Sequence, residues 1–141
     1  MSIRKEQRGF TLIEIMVVIV ILGILAALVA PNILGRTGEA RITAAKSDIN
    51  SISNALDLYK LDNFTYPSTD QGLEALVTQP SGFPEAPNWN PDGYLKSVPK
   101  DPWGNDYLYV SPGENGGFDL YSLGADRREG GEGDNADIGN Q

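Results

Sequence analysis

From Phe10 to Ala30 every position except Thr11, Glu14 and Gly23 is apolar. As a helix that run rises roughly 30 Å, the thickness of a bilayer's hydrocarbon core. After it the pattern changes period. Ile42, Ala45, Ile49, Ile52, Leu56 and Tyr59 recur by threes and fours, while Arg41, Lys46, Asp48, Asn50 and Asp57 fall largely off that stripe. This is the signature of an amphipathic helix whose apolar side faces a core, and its polar side is free for contacts between molecules. Pro31, Gly35 and Gly38 lie between the two patterns and weaken helical continuity, offering a place to kink or unwind. Stacked as one rod, Phe10 to Lys60 would span about 75 Å.

Asp62-Asn63 and Pro67 close this helix. A short second helix follows, with Ser68 or Thr69 as its cap and Leu73, Leu76 and Val77 as its apolar edge. Residues 79 to 102 carry six prolines among Phe83, Trp89, Tyr94 and Leu95, so a long loop pinned by its aromatic rings is expected. Tyr107-Leu108-Tyr109-Val110 and Phe118-Asp119-Leu120-Tyr121 flank a glycine-rich turn and predict a β-hairpin. Two strands alone are marginal, which places the hairpin against the Ile42 to Tyr59 stripe. The fold class is α+β: a long N-terminal helix on a small head with a short helix, a loop and a small antiparallel sheet.

One residue is out of place in the apolar run. Glu14 sits one turn inside it, where an uncompensated charge costs about 2.5–3.5 kcal/mol and usually marks function. A secretory signal has a shorter apolar core than this, and a plain anchor, with its Lys/Arg head held in the cytoplasm, does not call for the carboxylate. A cut between Gly9 and Phe10 does account for it. The new α-amino group of Phe10 would then meet Glu14 of a neighbouring helix, neutralising the charge and setting the stagger between subunits.

Gly9-Phe10-Thr11-Leu12-Ile13-Glu14 resembles the class III signal of type IV pilins and of type II secretion pseudopilins. The resemblance implies cleavage after Gly9 by a membrane prepilin peptidase, N-methylation of Phe10 and an assembly role for Glu14. It divides the chain into a leader at 1–9, a transmembrane and filament-core helix half at 10–31, and a periplasmic head at 32–141. Tyr59 to Asn63 with Tyr66-Pro67, Gln71-Gly72-Leu73, Asp101-Pro102-Trp103-Gly104 and Ser122 to Asp126 are similar to successive landmarks of the major pseudopilins. That implies a type IV pilin-like fold and a homopolymeric pseudopilus anchored in the bacterial inner membrane. Minor pseudopilins and the inner-membrane secretion platform are its implied partners. A type IV pilin for adhesion, motility or DNA uptake is the alternative, and a carboxylate-dependent membrane hydrolase is a third reading without a cofactor motif or room for a deep cleft.

Charge narrows the choice of partner. The chain of 141 residues holds 11 basic and 19 acidic residues, a net charge of -8. Loss of the leader removes Arg4, Lys5, Arg8 and Glu6, leaving 8 basic residues against 18 acidic. A basic nucleic-acid surface is therefore not expected. Cysteine and histidine are both absent, which removes disulfide staples, ordinary zinc sites and histidine-dependent triads. The carboxylates gather instead in the glycine-rich stretch from Leu123 to Asn140. By composition such a tail is a solvated, disordered segment. The resemblance implies that it is a calcium loop, with Asp126 and Asp137 as side-chain ligands, the Leu123 carbonyl as a further donor and Asp134 as a weaker one. Calcium takes six to eight oxygen ligands. Ala136 and the terminal Asn140-Gln141 depart from the family pattern, in which some members have a further acidic residue and then a tryptophan.

Overall fold

The computed structural model describes residues 8–140. Most of the leader and Gln141 therefore lie outside the described residues. The chain divides by its contacts into two compact units, Met1–Thr37 and Gly38–Gln141. The elements in order are a helix α1 at Leu12–Asn63, a single 3-10 turn at Leu73–Leu76, strands β1 at Leu108–Val110 and β2 at Asp119–Ser122, a second 3-10 turn at Gly133–Asn135, and strand β3 at Ile138–Gly139.

The helical assignment of α1 continues across Pro31, Gly35 and Gly38, so the weakened stretch does not interrupt the element. In the first unit the window Leu12–Val29 is apolar and long enough to span a membrane, and none of it is buried. Such a surface needs an apolar environment that this unit does not supply to itself.

The second unit is built on the stripe read from the sequence. Ala45, Ile49, Ile52, Leu56 and Tyr59 are buried, joined by Ala55, and Ile42 packs at the margin. They form one core with Leu73, Leu76, Tyr107, Tyr109, Phe118, Leu120 and Ile138. Two residues at the end of α1 stop it. The Asn63 side chain donates to the Tyr59 carbonyl at 3.0 Å, the Phe64 N–H donates to Lys60 at 2.7 Å, and Phe64 turns to a φ of 70°. The left-handed turn satisfies the last carbonyls of the helix.

The expected second helix is one 3-10 turn rather than an α-helix. Ser68 and Gln71 cap each other ahead of it: the Ser68 N–H donates to Gln71 Oε1 at 3.0 Å and the Gln71 N–H to Ser68 Oγ at 3.1 Å. Gly72, at a φ of 63°, then turns the chain out of α-helical geometry. Two of the three loop aromatics act as pins. Trp89 Nε1 donates to the Ala75 carbonyl at 2.8 Å, and the Tyr94 hydroxyl donates to Asp62 at 2.7 Å with its ring 5.4 Å from that of Tyr59. Phe83 does not: it is 89% exposed.

The hairpin pairs Tyr109 with Leu120 in antiparallel register, and Tyr107 ties it to α1 through a 2.8 Å hydrogen bond to Asp48. The sheet gains a third strand that the composition of the tail concealed. β3 pairs with β2, Ser122 opposite Ile138, giving the order β1-β2-β3. Ile138 is buried, and the Asn140 side chain accepts from the Leu120 N–H and donates to the Phe118 carbonyl, at 3.0 and 3.2 Å.

Candidate assembly site and cation loop

Thr11 and Glu14 form a reciprocal pair at the head of α1. The Thr11 N–H donates to Glu14 Oε2 at 3.3 Å, and the Glu14 N–H donates to Thr11 Oγ1 at 3.2 Å. This is a capping box, in which two otherwise orphaned amide donors find oxygen partners. The carboxylate therefore compensates the positive end of a helix. Sequence reasoning fixed on the charge and passed over the cap, although Thr-x-x-Glu before an apolar run is its signal. Gly9 and Phe10 precede the helix, and the Phe10 ring is exposed. Among the described residues nothing lies within 4 Å of where a Cβ on Gly9 would be.

The C-terminal loop begins at a buried polar knot. Asp101 is 4% exposed, accepts Ser122 Oγ at 2.7 Å and takes the N–H groups of Trp103 and Asn105 on its other oxygen at 3.1 and 2.8 Å. Ser122 Oγ in turn accepts the Gly124 N–H at 3.1 Å. Gly124, at a φ of 72°, lies against the returning chain: a Cβ there would stand 2.7 Å from the Asp134 carbonyl and 2.8 Å from that of Ala136. Only glycine fits that approach. The Ala125 N–H closes the loop by donating to the same Asp134 carbonyl at 2.8 Å.

The four residues expected to hold calcium occupy distinct positions on this frame. Asp126 accepts the Arg128 N–H at 3.1 Å in a local turn, and Asp137 accepts the Gly130 N–H at 3.0 Å across the loop. Asp137 also lines a cavity of about 460 Å³ with Glu114, Asp119 and Glu129. Leu123 is half-buried and lines a different cavity, with Asp101 and Arg127. The Asp134 carboxylate points to Gly38 on α1. Among the described residues no three acidic side chains gather tightly enough to hold an ion as they stand. The donor chemistry of Asp126, Asp137 and the Leu123 carbonyl is nonetheless all oxygen, which suits a hard divalent cation.

Tyrosines carry the shifted titrations of the second unit. Burial, followed by its hydrogen bond to Asp48, raises the Tyr107 phenol far above its ordinary value. Burial also raises Tyr109, whose hydroxyl donates to the Pro67 carbonyl at 2.8 Å. These shifts accompany structural bonds to the core rather than a reactive cleft.

Known families and relatives match nearly the whole chain. Residues 32–141 match the family described as type II secretion system (T2SS), protein G, and residues 4–30 match the prokaryotic N-terminal methylation motif. The type II secretion system core protein G of Pseudomonas aeruginosa is 66% identical over 137 residues, 97% of this chain and 96% of the relative. Its counterpart from Vibrio cholerae is 60% identical over 136 residues, 96% of this chain and 92% of the relative. The crystal structure of the major pseudopilin from the type 2 secretion system of enterohaemorrhagic Escherichia coli superposes with a TM-score of 0.68. It is 42% identical, over 78% of this chain and 94% of that one.

Proposed function

Since this chain belongs to the type II secretion system protein G family, we propose that it is made as a membrane-anchored precursor, cut after Gly9, methylated on Phe10 and stacked into a homopolymeric pseudopilus. It is a structural subunit of that pseudopilus. The match over residues 32–141 favours this over the pilin reading that the leader alone leaves open. The second unit lies in the periplasm, and the growing filament pushes folded proteins across the outer membrane. Energy comes from a cytoplasmic ATPase rather than from this chain, the inner-membrane platform is a partner in assembly, and minor pseudopilins share the filament. The chain's own task is mechanical.

The observation that carries this reading is the pairing of a fully exposed apolar helix, Leu12–Val29, with a carboxylate at its head. Lipid covers that surface before assembly, and neighbouring copies cover it afterwards. Glu14 meets the amino terminus of an adjoining Phe10, so register is set by a charge pair that lipid disfavours leaving unmade. Glu14→Gln tests this. Cleavage at Gly9 should proceed while filament growth and secretion fail, and normal filaments from that variant would remove the proposed role.

Calcium is the second part of the proposal. Asp126, Asp137 and the Leu123 carbonyl would hold the ion, which supplies the cross-link that a chain without cysteine lacks. The closed frame around Gly124 and the oxygen donors on both sides of it support this assignment.

A further inference from the structure

Gly38 is an unusual residue to find where it is. It lies inside α1, and glycine is the weakest helix former after proline. Its neighbours Arg36, Thr37, Glu39 and Ala40 are exposed, yet Gly38 is buried. What covers it is a carboxylate. A Cβ built on Gly38 would stand 2.6 Å from Asp134 Oδ1 and 3.1 Å from Oδ2, so both oxygens rest on the space that any other residue would fill. Asp134 is itself held from behind, because its carbonyl takes the Ala125 N–H at 2.8 Å and Gly124 closes on the same oxygen. One residue is thereby fitted between two glycines that are distant in sequence, one on the helix and one in the turn just after β2.

We propose that Asp134 is a positioning residue: its backbone closes the C-terminal loop while its carboxylate clasps that loop onto α1 at Gly38, the first residue of the second unit. Ordering the loop and fixing that turn of the helix are then one event. The role differs from that of a metal ligand, because a carboxylate lodged on the helix is turned to a different task from Asp126 and Asp137. It goes beyond the pseudopilus reading and stands whether or not the loop takes calcium.

The test uses the full chain in detergent micelles, with amide hydrogen exchange followed at residues 36–42 and at Ala125, and with thermal unfolding measured in calcium and in chelator. Asp134→Ala should make the amides of residues 36–42 exchange several-fold faster, while leaving intact whatever rise in Tm calcium gives the wild type. Gly38→Ala serves as the second variant if Asp134→Ala folds poorly. It should speed exchange at Ala125, on the far side of the clasp, and that effect should vanish when Asp134→Ala is already present. Unchanged exchange near Gly38 in Asp134→Ala would overturn the proposal. So would loss of the calcium response with the helix still protected, which would make Asp134 a ligand. A wild type without a calcium response would defeat only the calcium reading, leaving the exchange data to decide the clasp.

Discussion

Glu14 does two things that substitution can separate. Glutamine keeps an oxygen that can accept the Thr11 N–H, so Glu14→Gln preserves the cap and removes only the charge. Alanine removes the charge and the acceptor for the Thr11 N–H while the Thr11 hydroxyl still caps the backbone of residue 14, and the lost hydrogen bond costs about 1 kcal/mol of helix stability. Filament assays of the two variants, compared with helicity by circular dichroism, therefore distinguish assembly chemistry from local folding. Asp101 presents the opposite case, a buried carboxylate whose partners are all internal. Asp101→Ala would strand two amides and the Ser122 hydroxyl, and should destabilise the second unit by on the order of 3 kcal/mol in denaturant melts. The tyrosines set an alkaline limit. Burial raises Tyr107 and Tyr109 above the ordinary value of 10.0, so the folded state favours the protonated phenol. Their contribution is complete below pH 10 and is lost above it, as unfolded phenols ionise first. Thermal midpoints should accordingly fall beyond pH 10, and Tyr107→Phe should shallow that fall; an equal slope in both proteins would contradict the assignment.

At the scale of elements, α1 shows why some of this fold is legible and some is not. The stripe from Ile42 to Tyr59 is readable because a helix buries one side chain every three or four residues, and the observed core keeps that period. Leu56 is fully buried at its centre. Leu56→Ala should cost about 2–5 kcal/mol by transfer and cavity terms, measurable as a drop in the denaturation midpoint. The hairpin was readable too, since alternating aromatics flank a turn. β3 was not, because two residues give no period and Ile138 is a single apolar signal in a tail of glycines and acids. Phe83 misled for a related reason: an aromatic in a proline-rich loop has no periodicity to say which way it points. The C-terminal loop reads by composition as a disordered tail, and only the family resemblance implies that it is ordered around an ion. Its closure depends on contacts between Gly124 and Asp134 and between Asp134 and Gly38, which are far apart in the chain.

For the whole molecule, net charge and a missing cross-link point to the same dependence. A chain at -8 without cysteine has a C-terminal loop crowded with like charges. A cation bound only by the folded chain stabilises it by about 2.7 kcal/mol at a hundredfold excess over its dissociation constant. Calcium should thus raise the unfolding temperature, magnesium should do so less, and chelator should reverse the rise. The absence of any shift at millimolar calcium would mean that the loop stands on its hydrogen bonds alone.

The sheet's small size has a separate consequence. β1 offers three residues at one edge and β3 two at the other, and Thr69 already engages both the N–H and the carbonyl of Ser111 where β1 ends. A protein whose copies are brought together in a filament is exposed to amyloid, which grows when long bare strands template one another. Edges this short give such a template almost nothing to copy. In the proposed pseudopilus, contact between copies is then left to the exposed apolar helix, Leu12–Val29, rather than to the sheet.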